Sequence, residues 1–244
     1  MNLYKTSAEL KSMVKGQLID KYSTVIAALL MTFCITSAIT ILAGNIIGTN
    51  TIWSVIANYI STFLIELIAG ILATGLVRFY LNIACNQPHT INDVFYSFSH
   101  ETNKAVILAF FKTLIGLVPF LPFYIASYIY TFQKNQTLFI LSILLFILGL
   151  AVFIFLNLIF SQIYYLLIDL PSYTPVKLMH LSARLMKGNW ARLFYLELSF
   201  IPIYLLSIIS CGIGFLWVIP YSLATKANYY LDLMSVESRK QQSI

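Results

Sequence analysis

The sequence predicts an all-α polytopic membrane protein with about six transmembrane helices and amphipathic interfacial helices on the cytoplasmic side. Three observations predict it. Apolar residues fill 59% of the 244 positions and charged residues only 10%, whereas a soluble domain carries about 25% charge. Most of this surface must therefore face something other than water. Apolar runs also recur at the length that crosses a bilayer, about 20 helical residues for a core of about 30 Å. Finally, Lys and Arg gather at alternate connections between those runs.

In order, the runs are Tyr22–Ala43, Trp53–Tyr80, Ala105–Tyr130, Leu138–Ile168, Leu193–Cys211 and Ile213–Leu231. No charged residue falls between Lys21 and Glu66. The fourth run exceeds one bilayer thickness, so it must tilt or project, or else break at Gly149. Twenty-one mostly polar residues precede the first run and no small-residue cleavage site follows it, which argues against a cleaved signal peptide.

Orientation follows from the positive charge in short loops. Lys5, Lys11, Lys15 and Lys21 precede the first run, and Arg78 and Lys104 flank the second-to-third connection. Lys177, Arg184, Lys187 and Arg192 lie in the fourth-to-fifth connection, with Arg239 and Lys240 in the tail. The other three connections, around Thr49, Gln136 and Gly212, hold only Lys134. Both termini are thus expected in the cytoplasm of a multi-pass cell-membrane protein.

Three cytoplasmic segments share a plan. Ser7 is placed to cap a helix with Leu10, Met13, Val14 and Leu18 on one face. Thr90 is placed to cap another, with Ile91, Val94, Phe95 and Phe98 as its stripe. In the third, Lys177, His180, Arg184 and Lys187 fall in one arc at about 100° per residue, with Leu178, Met179, Leu181, Leu185 and Met186 opposite. Such a helix lies in the headgroup plane with its cations toward anionic lipid, so Lys177, Arg184 and Lys187 are the expected headgroup contacts. The stretches LKSMVKGQ (Leu10–Gln17) and LSARLMKGN (Leu181–Asn189) resemble each other, and in each Lys-Gly is expected to end the helix. A single membrane domain of three units follows, 7–80, 90–168 and 174–232, each an interfacial helix leading into a hairpin.

The C-terminal third carries a resemblance. SARLMKGNWARLFYLELSF (Ser182–Phe200), followed by CGIGFLWVIPYSLATKANYY (Cys211–Tyr230), resembles a bacterial integral membrane family catalogued as domain of unknown function nine-seven-five. The resemblance implies a multi-span fold. It implies no activity, ligand or cofactor.

Ionisable groups inside a span are costly, and each is a candidate site residue. Glu66, Lys112, Glu197 and Lys226 qualify. Glu66 lies about 18 Å along its helix from Arg78, and Lys112 about 12 Å beyond Lys104. Glu66 is read either as a proton or cation site paired with Lys112, or as part of a structural pair. Lys112 and Lys226 also have the alternative of snorkelling to the headgroups. A tight turn at Gly212–Gly214 would make the last two spans antiparallel neighbours, so residues at equal depth have numbers of nearly constant sum. That register sets Glu197 opposite Lys226 and Arg192 opposite Asp232. Pro119, Pro122, Pro202 and Pro220 each remove a helix hydrogen bond, giving simple kinks or, as in transporters, broken helices that line a site.

Catalytic constellations are missing from this pattern. His89, His100 and His180 are not spaced as metal ligands, and no nucleophile elbow or phosphate loop occurs. Cys34, Cys85 and Cys211 form no paired motif. The +6 charge is dispersed at the ends of apolar runs rather than gathered in one patch, which excludes nucleic acid as a partner. The expectation is a non-enzymatic protein without cofactor or metal. Its partners would be anionic lipid and another membrane component or a second copy, as for toxin immunity or a transporter subunit. The alternative is a small transporter with an intramembrane carboxylate.

Overall fold

Lipid offers no hydrogen bonds, so each apolar run must pair its own N–H and C=O groups, and a helix does so. The computed structural model describes residues 4–46 and 52–242, and these contain α-helices and 3₁₀ turns but no strand. The first helix is α1 (Ser7–Leu18). Thr6, not Ser7, caps it: the Thr6 hydroxyl accepts the Glu9 N–H at 3.3 Å, and the Glu9 carboxylate accepts the Thr6 N–H at 2.6 Å. The reciprocal pair needs an acid three residues after the cap, and only Thr6 has one. Gly16 does not end α1, which continues to Leu18 and buries it.

The first hairpin is α2 (Tyr22–Ile46) with α3 (Ile52–Ala84). The connection around Thr49 lies outside the described residues. A 3₁₀ turn at Ile91–Phe95 and the short α4 (Tyr96–Ser99) follow, with Asp93 accepting the Thr90 N–H at 2.8 Å. The second hairpin begins with α5 (Thr102–Leu117) and α6 (Leu121–Gln133), separated by a 3₁₀ turn at Val118–Phe120, and returns through α7 (Gln136–Ile159) and α8 (Ile163–Asp169). Gly149 does not break the fourth span. It lies inside α7, where it admits the Pro119 carbonyl, which a Cβ there would meet at 2.6 Å, and the break comes later, at residues 160–162.

Next come α9 (Pro175–Met186), α10 (Trp190–Leu198) and α11 (Ile201–Ile209). In the α9 segment Gly188, at φ +84°, does leave the helical path, in the left-handed region that glycine occupies freely. Last is α12 (Phe215–Gln242), with Pro220 inside it.

Five stretches are long and apolar enough to cross a membrane: Tyr22–Gly44, Ile56–Ala84, Thr102–Gln133, Gln136–Asp169 and Trp190–Ile209. The protein is an all-α polytopic membrane protein. The sixth expected span, Ile213–Leu231, falls largely in α12. That helix is long but less apolar, because it buries a polar stripe of Ser222, Thr225, Asn228 and Asp232. Its polar side faces protein, where partners exist, rather than lipid.

The core lies at the end of the bundle that carries most of the Lys and Arg. Val14 and Leu18 of α1 pack there with Leu72, Phe79 and Tyr80 of α3, Leu166 of α8, Leu178 of α9 and Tyr230 of α12. Small residues permit the approach, since a Cβ on Gly75 would strike the Val94 backbone and one on Gly70 would strike Ala109. At the far end the hairpins expose large apolar side chains, including Trp53, Phe132 and Ile209 at 72–78%.

Candidate functional site: a charged recess between the spans

Three of the four intramembrane charges meet in one place. The α11–α12 turn is tight, with Ser207 Oγ 2.7 Å from where a Gly214 Cβ would stand, and it sets the register of the helices on either side. Lys226 Nζ consequently lies 2.9 Å from Glu197 Oε1, and Arg192 pairs with Asp232. Both pairs meet where equal depth on antiparallel helices places them. Asp232 is only 4% exposed in its side chain and also faces the Lys5 N–H at 3.3 Å. This inner pair is part of the core, whereas Glu197 and Lys226 keep side-chain exposures of 43% and 36%.

Lys112 stands across from that outer pair. Its ammonium donates to Asn157 Oδ1 at 3.2 Å, the only hydrogen bond it makes among the described residues. The expected Glu66–Lys112 pair does not form. Packing decides this, because α3 meets α5 through Gly70 on Ala109 and Phe63 on Phe110, while Lys112 is turned to α7. Glu66 is left exposed on α3, with no ion pair among the described residues.

Lys112, Asn157, Ser161, Gln162, Glu197 and Lys226 line a recess of about 340 Å³ between α5, α7, α10 and α12. Asn157, Ser161 and Gln162 were missed by the sequence argument, which weighed only charged residues. Part of the signal was present: Asn157 and Ser161, at i and i+4, are spaced as neighbours on one helix face of an apolar run. Gln162 is 2% exposed, donates from Nε2 to Ser161 Oγ at 2.7 Å, and has no donor for its Oε1. A second recess of about 290 Å³ adjoins the first, sharing Ile154, Glu197 and Lys226, and is walled mainly by Phe194, Leu198, Ile201 and Tyr204.

The expected headgroup residues lie elsewhere. Lys177, Arg184 and Lys187 are exposed on or beside α9, whose Leu178, Leu185 and Met186 are buried. Lys177 Nζ sits 3.8 Å above the Tyr173 ring. With His180, Arg184 and Glu237 these two residues line a surface groove of about 520 Å³.

A family model described as Protein of unknown function (DUF975) matches residues 1–237. The chain belongs to that family. The match extends the likeness of the C-terminal third over nearly the whole DUF975 chain, including α1 and the first hairpin. No curated protein and no solved structure matches it.

Proposed function

We propose that this protein is a non-enzymatic module of the cell membrane that holds another membrane component in the recess beside Glu197 and Lys226. In this reading it lies with its basic end and both termini in the cytoplasm, and Lys177, Arg184 and Lys187 rest on anionic headgroups. Its three units, 7–80, 90–168 and 174–232, each set an interfacial segment before a hairpin.

The observation that carries the proposal is the recess itself. A lipid-facing span gains nothing from ionisable groups, yet α5, α10 and α12 bring three of them to one recess, with a cation that no carboxylate pairs among the described residues. Charges retained at that depth point to a ligand or partner.

Site-specific photocrosslinking tests it. A photoreactive residue at Leu198, on the recess wall, should give a discrete adduct in cells, whereas one at Leu148 on the lipid-facing side of α7 should not. Equal labelling at both positions overturns the proposal. For orientation, reporters at Gln136 and Gly212 should read as external and those at Asn86 and Thr174 as cytoplasmic.

A transport reading has its own support, since two helix breaks border the recess: Ser161 and Gln162 line one chamber, and Phe200 and Ile201 the other. Broken helices line transporter sites. Purified protein in vesicles that passed protons or ions, and lost that flux on Glu66→Gln or Glu197→Gln with folding intact, would favour this reading over the first.

A further inference from the structure

Joined through Glu197 and Lys226, the two chambers differ in chemistry, and the difference describes an occupant. The first is polar. Its ionisable groups are two basic residues, Lys112 and Lys226, against one acidic residue, Glu197, so an anionic occupant would complement it. An ammonium has three donors, and Lys112 directs one to Asn157, which leaves donors for an anionic oxygen.

Gln162 adds a second requirement. The Ser161 hydroxyl gives its hydrogen to the Leu158 carbonyl at 2.8 Å, so toward Gln162 it can only accept. That fixes the amide orientation, with Nε2 toward Ser161 and Oε1 unpartnered in a buried position. A buried acceptor without a donor is costly, so the occupant should bring an O–H or N–H as well as a negative charge.

The second chamber is apolar. Phe194, Leu198, Ile201 and Tyr204 offer no charge, and the chamber continues from the first past the shared ion pair. Lys226 lies about 9 Å nearer the start of α12 than Asp232, at 1.5 Å per residue, so the polar chamber sits on the membrane side of the inner ion pair.

We infer that the recess binds an anionic amphiphile with a hydroxyl- or amine-bearing head, of the glycerol-phosphate lipid class. The head takes the Lys112 side, its donor meets Gln162 Oε1, and a tail runs past Glu197 and Lys226 into the apolar chamber. This rests on the proposal that the recess holds a membrane component, and it names the class of that component.

The test uses the full chain in non-ionic detergent, titrated with dioleoylphosphatidylglycerol or dioleoylphosphatidylcholine and read by native mass spectrometry. One phosphatidylglycerol should be held per chain at concentrations where phosphatidylcholine is not. Lys112→Gln should weaken that binding at least tenfold and Gln162→Leu about fivefold, while Lys112→Arg restores it. Lys134→Gln, in the α6–α7 turn away from the recess, should leave it unchanged, and helical circular dichroism identifies any variant that fails to fold. If Lys112→Gln does not fold, Gln162→Leu carries the test alone. Equal retention of the zwitterionic lipid overturns the inference, as does unchanged affinity in folded Lys112→Gln and Gln162→Leu. Inorganic phosphate that displaces the lipid at millimolar concentration overturns the amphiphile and leaves a free-anion site. A discrete protein adduct at Leu198 without selective lipid binding would sink the lipid assignment while the broader function stands.

Discussion

Phe79 and Phe132 are the same side chain in two different solvents. Phe79, on α3 near the basic end, is wholly buried, with the Tyr80 and His89 rings edge-on within 6 Å. Phe132, at the far end of α6, is 72% exposed and, among the described residues, its one aromatic neighbour is Tyr128 of its own helix. Both positions are apolar, so hydrophobicity does not explain the contrast. In lipid, helices gain little by hiding apolar side chains from one another, and association needs close backbone approach or interhelical hydrogen bonds.

The basic half has both means. Gly70 and Gly75 bring α3 against its neighbours. Gln17 and Asn228 join α1 to α12 at 2.8 Å, and Tyr229 donates to the Asn189 carbonyl at 2.9 Å. The far half closes mainly within hairpins, as where Phe120 and Phe123 of the α5–α6 span meet Phe146 of α7. One half is thus held by specific contacts and the other is solvated by acyl chains.

Breaking the inner ion pair should have the largest effect. Asp232→Ala leaves the partly buried Arg192 guanidinium without its carboxylate, a loss on the order of 3 kcal/mol. Glu197→Gln, on a half-exposed pair, should cost about 1 kcal/mol or less. Denaturant unfolding in micelles measures both, and equal losses would erase the distinction between the two pairs. A backbone test comes next. Gly75→Ala drives a Cβ into the Val94 backbone and should lose about 1–3 kcal/mol. Gly116→Ala, in α5 with open space around it, should gain about 0.5–1 kcal/mol from helix propensity. Thermal melting of the two variants should therefore shift in opposite directions.

The smallest effect is electrostatic. Hydrogen bonds from the Thr6 backbone and side chain hold the Glu9 carboxyl below its ordinary value. A depressed carboxylate contributes stability above its unfolded pKa and loses it as pH falls through the folded value. Acidification below the usual glutamate range should therefore fray the start of α1. In Glu9→Gln this acid-dependent part of the fraying should disappear, as followed by hydrogen exchange at the α1 amides.

The spans were legible because hydropathy and helix length are properties of the chain alone. Register was legible between the last two spans, where a tight turn ties depth to residue number, and so both ion pairs there could be placed. Facing was not. Glu66 and Lys112 are both intramembrane charges, yet which sides of α3 and α5 meet depends on where Gly70 and Ala109 allow contact. The break at residues 160–162 carries no Pro or Gly to announce it. The polar stripe of α12 was visible as Ser222, Thr225, Asn228 and Asp232, but only packing shows that it faces protein.

The attachment of α1 to α12 also sets an order in time. The Lys5 N–H meets Asp232 across 227 positions of sequence, and the Tyr221 hydroxyl donates to the Lys11 carbonyl. A ribosome adding about 5–20 residues per second needs roughly 10–45 s to cross that interval. Throughout it α1 has been made and α12 has not, so the earliest helix lacks one of its two partners while both long hairpins are made. Closure of α1 on α12 is therefore a late step of biogenesis. A chain halted before α12 has its earlier spans in place and its first helix beside α3, but without the partner that completes its docking.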